Sequence, residues 1–181
     1  MSEKLGPLAP LAGTWESEAG VDTSRIHGEE KITRFRERIV FEPLGPVNNG
    51  PQALYGLRYA TTCWRLGEDD PFHEELGYWM WDELNKQLMR CFLVPRAVSV
   101  LAGGYVEPGA KQFHLEAELG SETYGVLTNR YLHDSYKTKR YTLDVTVNDD
   151  GSFSYFEDTQ LWIPVKQEIF HHTDENRMER V

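Results

Sequence analysis

Apolar and polar residues alternate along most of this chain. The clearest stretch runs from 140 to 163, where Tyr141, Leu143, Val145 and Val147 alternate with Thr142, Asp144, Thr146 and Asn148. Asp149-Asp150-Gly151-Ser152 then supplies turn chemistry, and Phe153, Tyr155 and Glu157 resume the alternation. Period-two alternation marks a half-buried strand, and an Asp/Gly-rich break between two such runs marks a hairpin. Residues 29–41 alternate as well. Ile32, Arg34, Arg36 and Arg38 share one face, and Phe35, Glu37, Ile39 and Phe41 the other. Further strands are expected near 13–19, 53–66, 72–83, 86–94, 97–106, 112–119 and 122–131, with a last one over 167–181. Gly67-Glu68-Asp69-Asp70-Pro71 and Asp82-Glu83-Leu84-Asn85-Lys86 carry turn residues between them. Residues 20–28 and 43–52, rich in Gly, Pro, Asp and Asn, read as loops. The Pro-interrupted segment 5–12 reads as a single helical turn or a lid.

About ten strands with almost no helical periodicity predict an all-β fold, an antiparallel up-and-down β-barrel or a sandwich. The length, 181 residues, fits one domain over 1–181. A ten-stranded barrel is too wide for side chains to fill, so a cavity is expected. Trp64, Tyr78, Trp81 and Tyr155 are candidates for its inner faces.

Charge narrows the partners. The formal net charge is −10, which repels nucleic acid and anionic membrane. The three arginines of Thr33-Arg34-Phe35-Arg36-Glu37-Arg38 sit among acidic neighbours and read as a solvated strand face. No apolar run approaches the length of a membrane span. Met1-Ser2-Glu3-Lys4-Leu5-Gly6 lacks the basic and apolar regions of a signal peptide, so a cytoplasmic location is expected. Cys63 and Cys91 lie in apolar strand-like runs without metal-type spacing and are expected to be free thiols.

Common enzyme signatures are missing: there is no nucleophile elbow, phosphate loop, dinucleotide fingerprint or His-Glu-x-x-His. The candidate chemistry is therefore that of a ligand-holding cavity. In Gly13-Thr14-Trp15 the glycine allows close backbone approach. The indole can plug the closed end of a barrel if its N–H finds an acceptor. His171-His172 interrupts the last strand. Adjacent strand residues face opposite ways, so at most one of the pair faces a cavity. A neutral imidazole in an apolar pocket is a good axial ligand for haem iron; the alternative is an exposed or hydrogen-bonded histidine. His73 and Glu75 share a strand face and pair either inside the barrel or on its surface. His133-Asp134 falls in a charged loop, and Ser121-Glu122-Thr123-Tyr124-Gly125 reads as a cavity mouth or a turn.

Three segments in this order, Pro10-Leu11-Ala12-Gly13-Thr14-Trp15, His73-x-Glu75-x-Gly77-Tyr78-Trp79 and Phe170-His171-His172-Thr173-Asp174, resemble the nitrobindin family over nearly the whole chain. The likeness is greatest to a bacterial branch. The resemblance implies a ten-stranded, fatty-acid-binding-protein-like (calycin) barrel with ferric haem b at its open mouth. It implies His172 as the proximal ligand to iron, with His171 the second choice, and a pocket that includes Thr14, Trp15 and Thr173. An open sixth position on such an iron implies nitric oxide binding or isomerisation of peroxynitrite to nitrate. Where the family repeats glycine after Gly-x-Trp, this chain has Ser17 and Ala19. An ungapped alignment from Met178 and Arg180 places Thr173 at the ligand position and turns His172 away, and a one-residue bulge brings His172 back. A second expectation is a haem-free barrel that carries a hydrophobic or amphipathic small molecule, with Arg34, Arg36 or Arg38 pairing a carboxylate head inside.

Overall fold

The computed structural model describes residues 2–26 and 28–181. A 3-10 helix, Ser2–Leu11, leads into β1 (Gly13–Ile26), β2 (Glu29–Asn49), β3 (Gln52–Arg65), β4 (His73–Asp82), β5 (Gln87–Val94) and β6 (Val98–Tyr105). Then come β7 (Gln112–Glu118), the short β8 (Val126–Thr128), the helix α1 (Arg130–Ser135), β9 (Lys137–Val147), β10 (Phe153–Ile163) and β11 (Glu168–Arg180). Neighbours pair antiparallel from β1 through β6, β7 pairs with β9, and β9, β10 and β11 return to β1. The β6–β7 seam is narrow, with Gly103 opposite Glu116, and β8 lies on the far part of β6. The result is the closed, ten-strand antiparallel barrel expected from the alternation, with β8 as an added edge piece.

Alternation also assigns the faces. Phe35, Glu37, Ile39 and Phe41 point inward and are buried. Arg34, Arg36 and Arg38 therefore face outward: Arg36 lies over Trp64 at 4.1 Å and Arg38 pairs with Glu16. The expectation that one of them meets a ligand inside the barrel is thus overturned, because the apolar residues of the same strand claim the inner face. Tyr155 and Trp81 are inward, while Tyr78 is an exposed outer residue.

One end of the barrel is sealed by Leu5, Leu8 and Leu11 of the 3-10 helix, all buried. Gly6 permits this seal. It has φ of 53°, and a Cβ there would fall 2.4 Å from Trp81 Nε1. Trp15 Nε1 donates to the Leu11 carbonyl at 2.7 Å, and its ring meets Phe153 edge-on at 4.8 Å. The indole is the plug that the Gly-x-Trp segment suggested.

Two expected loops are largely strand. β1 absorbs the polar stretch after residue 19 through a register shift between Ser17 and Gly20, as a β-bulge does. β2 runs on to Asn49 through an irregularity between Leu44 and Val47. Conversely, the strand expected over 122–131 shrinks to β8, and His133-Asp134 lies in α1 rather than a loop. Asn129 starts that helix: its side-chain oxygen accepts from Leu132 N at 3.0 Å. Six residues are too few to show helical periodicity in sequence.

Candidate functional site

Beyond the plug lies a cavity of about 640 Å³. Its lower wall is aromatic. Phe41 packs against Tyr59 and Trp79, with centroids 5.8 and 6.1 Å away, and Phe92 packs against Tyr141 at 5.5 Å. Trp79 is buried, and its indole Nε1 has no hydrogen-bond partner among the described residues.

Above these rings sits a collar of buried charge. Arg90 comes from β5, where it shares the inner face with Leu88 and Phe92. Its guanidinium bonds Glu75 and Glu157, donates to Tyr59 Oη at 3.2 Å and to Tyr141 Oη, and lies over the Phe92 ring at 4.3 Å. Tyr59 Oη in turn donates to Glu75 at 2.9 Å. Burial opposes the charge on Glu75, but Arg90 and His73 override it and hold its pKa down at about 2. Burial likewise disfavours the His73 cation, yet its 3.2 Å contact with Glu75 carries its pKa to about 9. The His73–Glu75 pairing thus faces the interior, at the upper edge of the collar.

Glu37 stands apart from Arg90. It accepts from Thr61 at 2.9 Å, Tyr155 at 2.7 Å and Asn176 at 2.8 Å. Burial raises its pKa, and these neutral donors offset only part of that. Glu157 is also raised by burial, against the pull of Arg90.

A third group lies at the mouth. Asp22 on β1 is directly opposite Asp174 on β11, and His172 is two residues from Asp174 on the same inner face. His172 Nε2 is 2.7 Å from Asp22 Oδ1 and 3.7 Å from Asp174 Oδ2. Ser24 Oγ donates to the second Asp22 oxygen at 2.9 Å. Burial works against charge on Asp22, yet His172 and Ser24 hold its pKa below the ordinary carboxylate value. Asp174 is raised well above that value by burial and by Asp22 beside it.

These positions settle the geometry of the residues singled out in sequence. His172 lines the cavity, and β11 pairs with β10 in unbroken register from Glu168 to Met178. No bulge is needed: Met178, Asn176, Asp174 and His172 simply alternate on one face, and Thr173 is the residue turned away. His171 is on the outer face, 2.7 Å from Asp158. Thr14 and Trp15 belong to the sealed end and do not line the cavity. Ser121–Gly125 makes a turn, with Tyr124 Oη donating to Gln87 at 2.9 Å. Cys63 is free and buried in the cavity wall; Cys91 is free and half-buried.

Sequence reading missed Arg90, Glu157, Asn176, Asp22 and Asp174. Two of them carried a signal. Arg90 interrupts the apolar face of Leu88 and Phe92, and Glu157 continues the inward series of Phe153 and Tyr155. A charge on an apolar strand face is either an error of facing or a buried network.

Haem asks for an imidazole nitrogen free to reach iron, over a slot that is mostly apolar. Here His172 Nε2 is held by Asp22, and Asp22, Glu37, Glu75, Glu157 and Asp174 all line the cavity. The residues present do not fit the group in this arrangement.

The model for the "THAP4-like, heme-binding beta-barrel domain" matches residues 4–180. No curated protein matches the sequence. Among solved structures, the crystal structure of Rv2717c from M. tuberculosis is similar, with a TM-score of 0.63 and 16% identity over 96% of this chain and 94% of that one. At that identity the likeness concerns the fold. Together with the three sequence segments and the closed ten-strand barrel, the family match leads to one conclusion: the chain belongs to the nitrobindin-like family of THAP4-like, heme-binding beta-barrel domains.

Proposed function

We propose that this barrel holds a small amphipathic molecule in its cavity without haem. The observation that carries this reading is the division of the cavity wall into an aromatic floor and a polar collar. A volume of about 640 Å³ is that of an ordinary small-molecule site. Phe41, Tyr59, Trp79 and Phe92 offer flat apolar surface to the body of the ligand. Trp79 Nε1 is a buried donor without a partner among the described residues, which favours a ligand carrying a hydrogen-bond acceptor at that depth. Arg90 does not act as the carboxylate receptor expected of a fatty-acid carrier, because Glu75 and Glu157 already neutralise it. The ligand class is therefore a neutral or weakly polar molecule rather than a free fatty acid.

The test is a titration with Nile red, a neutral apolar dye with a carbonyl acceptor, followed by its emission. Saturable one-to-one binding, weakened in Trp79→Phe, is expected. Absence of saturable binding would overturn the reading.

A second reading keeps the haem of the family. Its supporting observation is that His172, on the last strand, faces the cavity. It requires the imidazole to leave Asp22. Nitric oxide or peroxynitrite chemistry belongs to this reading alone, since it needs the iron.

A further inference from the structure

The three side chains at the mouth have a feature that small-molecule holding does not use. Asp22 and Asp174 are directly opposed across β1 and β11, and both point into the barrel. Like charges directly opposite one another on a sheet face repel, and burial of Asp22 strengthens the effect. His172 comes between them from the same face of β11. One nitrogen and two oxygens thereby converge, all three atoms lying within 4.8 Å of one another. Two ligands on a single ion at about 2.1 Å are about 3.0 to 3.4 Å apart, and the His172 distances of 2.7 and 3.7 Å bracket that span.

From this convergence we infer that Asp22, His172 and Asp174 form a mononuclear site for a divalent first-row cation, of the Zn²⁺ or Mn²⁺ kind. Two carboxylates neutralise a dication, and one imidazole beside them suits these metals better than Ca²⁺ or Mg²⁺. Ser24 Oγ, bonded to the other oxygen of Asp22 at 2.9 Å, holds that ligand as supporting groups do in metal sites. Three protein donors leave coordination positions open. They face the cavity, which all three residues line. The strands fix the arrangement: the β1–β11 register sets Asp22 against Asp174, and period two sets His172 beside it. This iron-free use of His172 also accounts for why its Nε2 is not available to haem.

The test uses the whole chain, freed of metal by chelation and titrated with Co²⁺, read by its d–d absorption, with Zn²⁺ as competitor. A one-to-one complex that Zn²⁺ displaces is expected. Asp174→Asn and His172→Gln should each weaken it at least about tenfold, while His171→Ala, on the outer face, should bind as the wild type does. Asp22→Asn serves as a further ligand variant, and a thermal melt of each variant confirms folding. Lack of a one-to-one complex in the wild type overturns the site. So does a complex unchanged in every folded ligand variant, which would place the ion on exposed pairs such as His114–Asp144. Nile red binding is independent of this outcome, so failure of the metal site and failure of the small-molecule reading are told apart.

Discussion

Replacing Arg90 with methionine removes the one basic group that, among the described residues, touches both Glu75 and Glu157. Arg90 and Glu75 are each 5% exposed, so solvent does little to screen what remains. Breaking one partner out of a buried ionic group costs about 3–5 kcal/mol, because it leaves charge uncompensated. The structure gives a second route to the same size. The pKa of Glu75 falls from the ordinary 4.5 to about 2 in the fold, and at about 1.4 kcal/mol per unit that is about 3 kcal/mol, shared between Arg90 and His73. The sign with pH follows. A depressed folded pKa gives stability that is full above about pH 4.5 and lost as pH falls toward 2. Without Arg90, His73 still pairs with Glu75, but burial and Glu75 act unopposed on Glu157 and push its pKa further up, so the variant suffers most at neutral pH and recovers on acidification. Urea unfolding followed by tryptophan fluorescence, at about pH 7 and about pH 4, reads both. A loss of about 3–5 kcal/mol at pH 7 that narrows at pH 4 is expected. Adding Glu75→Gln and Glu157→Gln to Arg90→Met should return much of it, since the cost lies in the orphaned charges. A loss below about 1 kcal/mol, or one that grows in acid, would refute the reasoning.

Four further outcomes are expected. The His73 ring should titrate near pH 9 by NMR, above its ordinary 6.5; its pairing with Glu75 then stabilises in full below 6.5 and fades as pH rises through 9, and a midpoint at or below 6.5 would contradict the contact. Trp15→Phe strips the donor from the Leu11 carbonyl at the sealed end and should cost about 1–3 kcal/mol in a thermal melt. Gly77→Ala puts a Cβ 2.1 Å from the Cys91 carbonyl oxygen and should cost about 2 kcal/mol or more. Gly109→Ala, with nothing within 4 Å, should stay within about 0.5 kcal/mol of wild type.

The barrel was legible because closure depends on a repeated local rule. Each strand from Phe35–Phe41 to Tyr141–Val147 buries alternate residues, and that rule survives errors of a few residues at the ends. The bulge at Ser17–Gly20 was not legible, since a polar stretch in an edge-like position looks the same as a loop until its partners are known. The plug role of Trp15 was legible because its donor is satisfied locally, four residues away. The collar was not, because its bonds join distant strands: Arg90 meets Glu157 from 67 residues away, and Glu37 meets Asn176 from 139. His172 shows both sides. Parity from Phe170 places it inside, whereas counting back from the C-terminus on the spacing of the resembled family puts Thr173 there instead, and the unbroken β10–β11 register favours parity. That Asp22 would occupy its Nε2 depends on a β1–β11 pairing spanning 150 residues, which no local pattern carries.

A hemin titration followed at the Soret band, on the wild type and His172→Ala, tests the central claim most directly. With Nε2 tied to Asp22 and five carboxylates in the wall, no one-to-one complex that depends on His172 is expected. A saturable one-to-one Soret shift in the wild type, lost in His172→Ala, would contradict it and establish the haem reading in its place.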